Sequence, residues 1–256
     1  MPSPSLLVSV RNLAEARAAI DGGCDRLDVK EPLRGPLGMA DLDVIAEIAA
    51  LSARSNGRRG APPCSVALGE IDELQKVDDT IALPWGVTDI KLGPARLGTL
   101  KCWKQGWRDA LGRIKSEDRG SIRHVAVAYA DWQAAEAPRP EEILSAAVEF
   151  GADGFLIDTY RKDSDNLLQI LRRDELLRLA SAAHQAEMTL ALAGSLRLED
   201  LASLVKFHPE VIAVRGAACD GGRRSAEVSS ACVRRLKAAI GHWFEPAPAG
   251  KARLHA

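Results

Sequence analysis

Eight apolar runs of strand length recur along this chain, and between them lie longer segments with apolar residues at helical spacing. The runs are SLLVSV (5–10), DRLDVK (25–30), CSVAL (64–68), VTDIKL (87–92), HVAVAY (124–129), DGFLID (153–158), MTLALA (188–193) and EVIAVR (210–215). Among the helical segments, NLAEARAAIDGG offers Asn12 as an N-cap and Gly22 with Gly23 as a stop, and RPEEILSAAVEFGAD places Pro140 in a first turn. The others are MADLDVIAEIAALSAR, TLKCWKQGWRDALGRI, RRDELLRLASAAHQAE, LEDLASLVKFH and SSACVRRLKAAIGHW. Strand then helix, repeated eight times in 256 residues, predicts an α/β chain forming one (β/α)8 TIM barrel domain over 1–256. A doubly wound sheet is the alternative. It would carry a G-x-G-x-x-G turn after its first strand, and VSVRNLAEA has none. RSNGRRGAPP (54–63) reads as a helix-to-strand loop rather than a linker, and the residues from about 245 read as a loosely ordered Pro/Ala-rich tail.

Composition narrows the partners. Hydrophobic residues at 46% and charged residues at 27% exclude a disordered, collagenous or coiled-coil chain. A formal charge of −1 provides no field for nucleic acid or an anionic membrane. Five scattered cysteines without a C-x-x-C pair point to neither a disulfide framework nor a zinc site, and fit a reducing cytoplasm. The N-terminus lacks a basic region, and no stretch approaches the roughly 18 apolar residues of a membrane span. No two histidines have metal-ligand spacing, so no metal is expected.

In a barrel of this kind chemistry sits where the strands end. The second strand ends Asp28-Val29-Lys30, and the fourth ends Asp89-Ile90-Lys91-Leu92. Only 10 of the 34 basic residues are lysine, so a lysine inside a strand stands out. Period-two alternation puts Asp28 and Lys30 on one face and the apolar Leu27 and Val29 on the other. With the apolar set against the helices, both Asp-x-Lys pairs point into the barrel, and Asp158 at the end of the sixth strand joins them by the same parity. Structural ion pairs plugging the barrel are the bland alternative. A desolvated lysine beside a second cation is, however, the usual way to make an amine nucleophile for an aldehyde or ketone. The residues alone do not say which of Lys30 and Lys91 is the nucleophile and which the proton acceptor.

Small residues follow the last two strands: Gly194 and Ser195, then Arg215-Gly216-Ala217. Backbone N–H groups can approach a ligand there, barrels often hold phosphate between these loops, and Arg215 adds a cation. The expected ligand is a small phosphorylated carbonyl compound. Tyr129 and Asp131, after the fifth strand, are a hydrogen-bond donor and an acid, or else pack and cap; Lys162 binds a second phosphate or is a solvated loop charge. EPLRGPLGMA after the second strand is a closing loop or a stiffened one. Trp103 and Trp107 form a packing ridge or a homo-oligomer contact, and Cys219 is a small filler in the last loop.

The motifs LDVKEPLRGPLG, DIKLG, AYAD, LIDTYRKD, LALAGS and VRGAAC, in this order, resemble the (5-formylfuran-3-yl)methyl phosphate synthase family of methanofuran biosynthesis. The resemblance runs from about residue 5 to 240. It implies a TIM barrel lyase that condenses two molecules of glyceraldehyde 3-phosphate into 4-(hydroxymethyl)-2-furancarboxaldehyde phosphate, losing one phosphate and water, with no metal or organic cofactor. Matched motif by motif, it implies Lys30 as the Schiff-base lysine, Lys91 as the proton acceptor, Asp28 and Asp158 beside them, and Lys162 as a further site lysine. Departures are Glu31-Pro32 where Asn-Pro is frequent, Leu68-Gly69-Glu70 where Asp is common, and V-A-Y-A-D where A-G-Y-A-D is common. The Trp-containing fourth helix and the Ala/Arg-rich composition imply a bacterial-type member supplying a methanofuran-like one-carbon carrier. Two other readings stay open: a class I aldolase acting on another sugar phosphate, and a non-catalytic sugar-phosphate-binding barrel.

Overall fold

The computed structural model describes residues 3–54, 62–76, 80–116, 122–162 and 165–244. The tail from 245 and most of the 54–63 loop lie outside them.

Among the described residues ten strands and nine α-helices form in chain order: β1 Ser5–Val10, α1 Leu13–Asp21, β2 Arg26–Val29, α2 Leu42–Arg54, β3 Cys64–Glu70, α3 Ile71–Leu74, β4 Ile81–Leu83, β5 Val87–Gly93, α4 Trp103–Gly112 and β6 Ile114–Ser116, continuing with β7 Arg123–Tyr129, α5 Pro140–Glu149, β8 Gly154–Asp158, α6 Leu167–Ile170, α7 Arg173–Gln185, β9 Thr189–Leu192, α8 Leu201–Leu204, β10 Val211–Val214 and α9 Ser230–Phe244. Eight of the strands close into a parallel barrel in the order β1-β10-β9-β8-β7-β5-β3-β2. These are the eight runs read from the sequence, in the expected TIM barrel arrangement.

Local signals act where expected. The Asn12 side chain accepts from the Glu15 amide at 2.9 Å, Gly22 ends α1, and Pro140 starts α5. Two short elements, β4 and β6, pair with each other outside the barrel. Three residues are too few to show alternation, which is why the pattern does not reveal them. LEDLASLVKFH is not one helix but α8 between two 3-10 turns, closed by His208 in a left-handed conformation (φ 50°). The Trp103–Trp107 ridge packs inward: Trp107 is buried and meets Phe150 and His124 edge-on. Burial pushes the His124 imidazole down to about 4, leaving it neutral. Among the described residues no helix is long and apolar enough to cross a membrane.

Two apolar layers result from the alternation. The larger lies between strands and helices, from Leu6, Leu27 and Phe155 to Val233 and Leu236. The smaller fills the barrel and is built mainly of small side chains, among them Ala67, Ala191, Ala193 and Ala213, with Leu7, Val127 and Leu156. Alanine on the inward positions leaves room that branched residues would fill.

The closing seam between β10 and β1 is tied by charge. Arg215, just after β10, donates to Glu15 of α1 through both terminal nitrogens and to the Ser9 carbonyl of β1 at 3.0 Å. Both side chains are almost fully buried. Removing one member of such a pair strands a charge in a low dielectric. Glu15→Ala is therefore expected to lower the unfolding free energy by about 3–5 kcal/mol, read as a reduced urea midpoint; a loss below ~1 kcal/mol would contradict the role given to this pair.

Candidate active site

Strands in a closed barrel are tilted, so residues at one height are not ladder partners; each step to the next strand shifts the level by about one residue. Asp28 is linked through Ser65 to Asp89 along the ladder. Across the barrel, though, it meets Lys91, two residues further along β5, in a buried ion pair. Leu156 shares that level, by the register Lys91–Val125–Gly154 plus the same two-residue offset. Lys30 and Asp158, two residues further along their strands, form the level above. The two Asp-x-Lys motifs thus do different work. Asp89 lies at the opposite end of the barrel, bound by Arg123 at 2.8 Å and by Arg26 at 3.6 Å, while Lys91 joins Asp28.

The upper levels open into a cavity of about 280 Å³. Asp28, Lys30, Lys91, Asp158 and Lys162 line it, and Gly194, Ser195, Arg215, Gly216 and Ala217 border it from the loops after β9 and β10. Asp28 is saturated on both oxygens, by Ser9 at 2.9 Å, Ser65 at 2.9 Å and Lys91. Burial alone would push its carboxyl up; the Lys91 and Lys30 charges outweigh that and hold it below the usual range. Asp158 accepts from Lys162 at 2.5 Å and from the Thr159 amide at 2.8 Å, and is held low by Lys162 and Lys30 against the same burial.

Among the described residues Lys30 has no such partner. It is 7% exposed, and among those residues its amine donates only to the Pro36 carbonyl at 3.2 Å. Burial lowers its pKa to about 8, Lys162 and Lys91 adding to the drop while Asp28 and Asp158 oppose it. Each carboxylate is thus committed to another lysine, and the third lysine is left close to neutrality. That distinction, not available from the residues alone, sets Lys30 apart from Lys91 and Lys162 as the amine most easily deprotonated.

Three expectations change. Arg215 borders the cavity but has no donor to spare: its five N–H bonds go to Glu15 (two), Ser9, Arg224 and Ala226. Tyr129 is fully buried and away from the cavity, donating to Glu70 at 2.6 Å; burial raises the Glu70 carboxyl, whose other oxygen takes the Ala95 amide at 2.9 Å. Asp131 braces the loop after β8 by accepting from the Tyr160 and Arg161 amides at 2.6 and 2.9 Å, next to Lys162. For Tyr129 and Asp131 the packing-and-capping alternative describes what the side chains do. Cys219 is the expected filler, with burial pushing its thiol up to about 11.

The loop glycine is used. Gly194 has φ +99°, and a Cβ there would lie 2.7 Å from Thr159 Cγ2. Among the described residues the amides of Gly194, Ser195, Gly216 and Ala217 donate to no protein acceptor. No group of three His, Cys, Asp or Glu side chains among the described residues is arranged to hold a metal. Arg224 escaped the sequence reading: it lines the cavity from the last loop, where parity gives no guide. Glu70, read only as a departure from the family pattern, lies beyond the predicted end of β3 and is the partner of Tyr129.

A family model described as 4-HFC-P synthase matches residues 6–237. The chain belongs to this family. Its relatives named (5-formylfuran-3-yl)methyl phosphate synthase include those of Methanopyrus kandleri, 31% identical over 93% of this chain and 99% of the relative, and Methanothermobacter thermautotrophicus, 32% identical over 91% and 97%. The Methanosarcina barkeri protein is 30% identical over 91% and 97%. The family is the 4-HFC-P synthase of methanofuran biosynthesis. Among solved structures, phosphoribosyl anthranilate isomerase from Thermus thermophilus aligns over 93% of this chain and 98% of that chain, with a TM-score of 0.55 and 14% identity. Thiamine phosphate pyrophosphorylase from Pyrococcus furiosus aligns over 94% and 97%, with a TM-score of 0.54 and 14% identity. At such identity these establish the barrel alone.

The charge arrangement has a measurable consequence within the 4-HFC-P synthase family site. Lys30 should react with trinitrobenzenesulfonate along a pH curve centred near 8. Asp158→Asn removes a charge that favours the ammonium and should lower the midpoint, whereas Lys162→Met removes a repelling one and should raise it. A midpoint near the ordinary lysine value of about 10.4 in the parent protein would contradict the assignment.

Proposed function

We propose that the protein condenses two molecules of glyceraldehyde 3-phosphate, through an imine on Lys30, into 4-(hydroxymethyl)-2-furancarboxaldehyde phosphate. The observation that carries this reading is the buried Lys30 amine, which among the described residues has no carboxylate partner and lies between two occupied ion pairs. Family membership supports the product class, and the cavity's amines and free amides suit a phosphorylated aldehyde.

The chemistry balances as follows. The neutral Lys30 amine attacks the aldehyde carbon of one triose. Lys91, held as an ion pair on Asp28, gives its proton to the carbinolamine hydroxyl, which leaves as water. The imine acidifies the neighbouring C–H, and Lys91, now an amine, takes that proton back. The released electron pair expels phosphate from the next carbon. The second triose isomerises to the ketose phosphate, its C2 proton moving to C1 and its C2 hydroxyl proton to the aldehyde oxygen. The enol carbon of the first triose adds to that C2 carbonyl, and the C1 hydroxyl closes on the C2 carbonyl of the first. Loss of two waters makes the furan, and hydrolysis of the imine frees Lys30. Two trioses less the furan phosphate and one inorganic phosphate leave two molecules of water. The phosphate that is retained would sit on the Gly194, Ser195, Gly216 and Ala217 amides, and Lys162 would meet the departing one. Partners are these small phosphorylated aldehydes, and the free cysteines fit a reducing cytoplasm.

Incubation with glyceraldehyde 3-phosphate tests the reading. The expected result is a furan absorbance with one inorganic phosphate released per furan, reduced by about 10³-fold or more in Lys30→Met. A reversible aldol product without phosphate release would replace this reading with a class I aldolase.

A further inference from the structure

We infer that Arg224 is the guanidinium that grips the substrate's phosphate, and that Arg215 is a positioning residue holding Arg224 in place. The inference rests on the proposal that the substrate is phosphorylated. It starts from a vacancy in function: a cavity bordered by free amides needs a cation for a dianion, and the arginine placed there by sequence is fully committed elsewhere.

Arg224 lines the same cavity. Its backbone runs directly beside Gly216, close enough that a Cβ on Gly216 would lie 3.7 Å from the Arg224 nitrogen and 3.1 Å from the Gly222 carbonyl oxygen. Arg224, Gly216 and Ala217 thus border the same cavity, the Arg224 backbone against Gly216. Arg224 is partly buried and faces the charges of Asp158 and Arg215. Among the described residues its guanidinium makes one hydrogen bond, a long one of 3.4 Å to the Pro32 carbonyl. A planar donor fork with that little attachment, next to backbone donors, can take a phosphate bidentately.

The loop around it is organised for this. The Arg215 Nε donates to the Arg224 carbonyl at 3.0 Å, and a terminal nitrogen of Arg215 donates to the Ala226 carbonyl at 3.0 Å. Glu15 fixes Arg215 in turn. A buried arginine saturated by a helix carboxylate and three strand or loop carbonyls is a scaffold, and the side chain it presents is Arg224. The Pro32 carbonyl belongs to the same loop as Pro36, which holds the Lys30 amine. A triose held by its phosphate at Arg224 would thus have its aldehyde end toward Lys30.

The test uses inorganic phosphate as the probe, followed by phosphorus NMR titration, with steady-state kinetics on glyceraldehyde 3-phosphate in parallel. Arg224→Gln should weaken phosphate binding by about tenfold or more and raise KM by more than it lowers kcat; Arg224→Lys should recover part of the affinity. Unchanged phosphate affinity in a cooperatively melting Arg224→Gln protein would overturn the inference. Should that variant not fold, the unaltered protein decides: phosphate is expected to protect Arg224 from phenylglyoxal, and equal labelling with and without phosphate would overturn it. Because phosphate binding is read without turnover, the two proposals fail separately. Phosphate held through Arg224 with no furan formed would sink the synthase reading alone, and furan formed with Arg224→Gln unaltered would sink only the Arg224 assignment.

Discussion

Among the described residues Lys30, Lys91, Asp28 and Asp158 are buried at one end of this barrel beside the partly buried Lys162, and the site depends on how these five pair. A charge taken out of water must be matched or neutralised. Asp28 takes Lys91 and Asp158 takes Lys162; the fifth group, Lys30, is matched among the described residues only by a carbonyl and gives up its proton more easily instead. Remove the pairing and nothing would distinguish Lys30 from the other two lysines. The pairing in turn rests on the strand tilt, which brings Asp28 to the height of Lys91 rather than of Asp89, and on Ser9 and Ser65, which hold Asp28 in place.

This arrangement works against stability in a defined direction. The folded-state pKa of Lys30, about 8, lies below its unfolded value of 10.5. The unfolded chain therefore binds more protons across that interval, and folding stability from this group rises with pH through it. Below pH 8 the strain is present in full. A buried amine kept for reactivity is a common place for a protein to give up stability, and the surrounding small side chains, which line the cavity rather than fill it, are a second.

The fold was legible because both its periods are written plainly: strands alternate, helices repeat, and the exceptions are three-residue elements with no room for a pattern. The lysines were legible for the same reason, since a charge on the apolar rhythm of a strand has one face to occupy. What parity cannot supply is partner choice. Arg215 and Arg224 look alike as cations in a loop after the last strand, and the carboxylate that claims Arg215 lies 200 residues away on the first helix. Tyr129 and Asp131 read as polar groups delivered to the mouth, yet one is turned to a carboxyl beyond the predicted end of β3 and the other to amides of the next loop. Likewise the repeated Asp-x-Lys looked like one device used twice; the tilt sends its two aspartates to opposite ends of the barrel.

The central claim is that Lys30, and neither of the paired lysines, carries the substrate. It is tested most directly by borohydride reduction in the presence of glyceraldehyde 3-phosphate, followed by tryptic mass mapping. The account predicts a triose-derived mass increment within residues 27–34, on Lys30. An increment on Lys91 or Lys162 with none on Lys30 would contradict it.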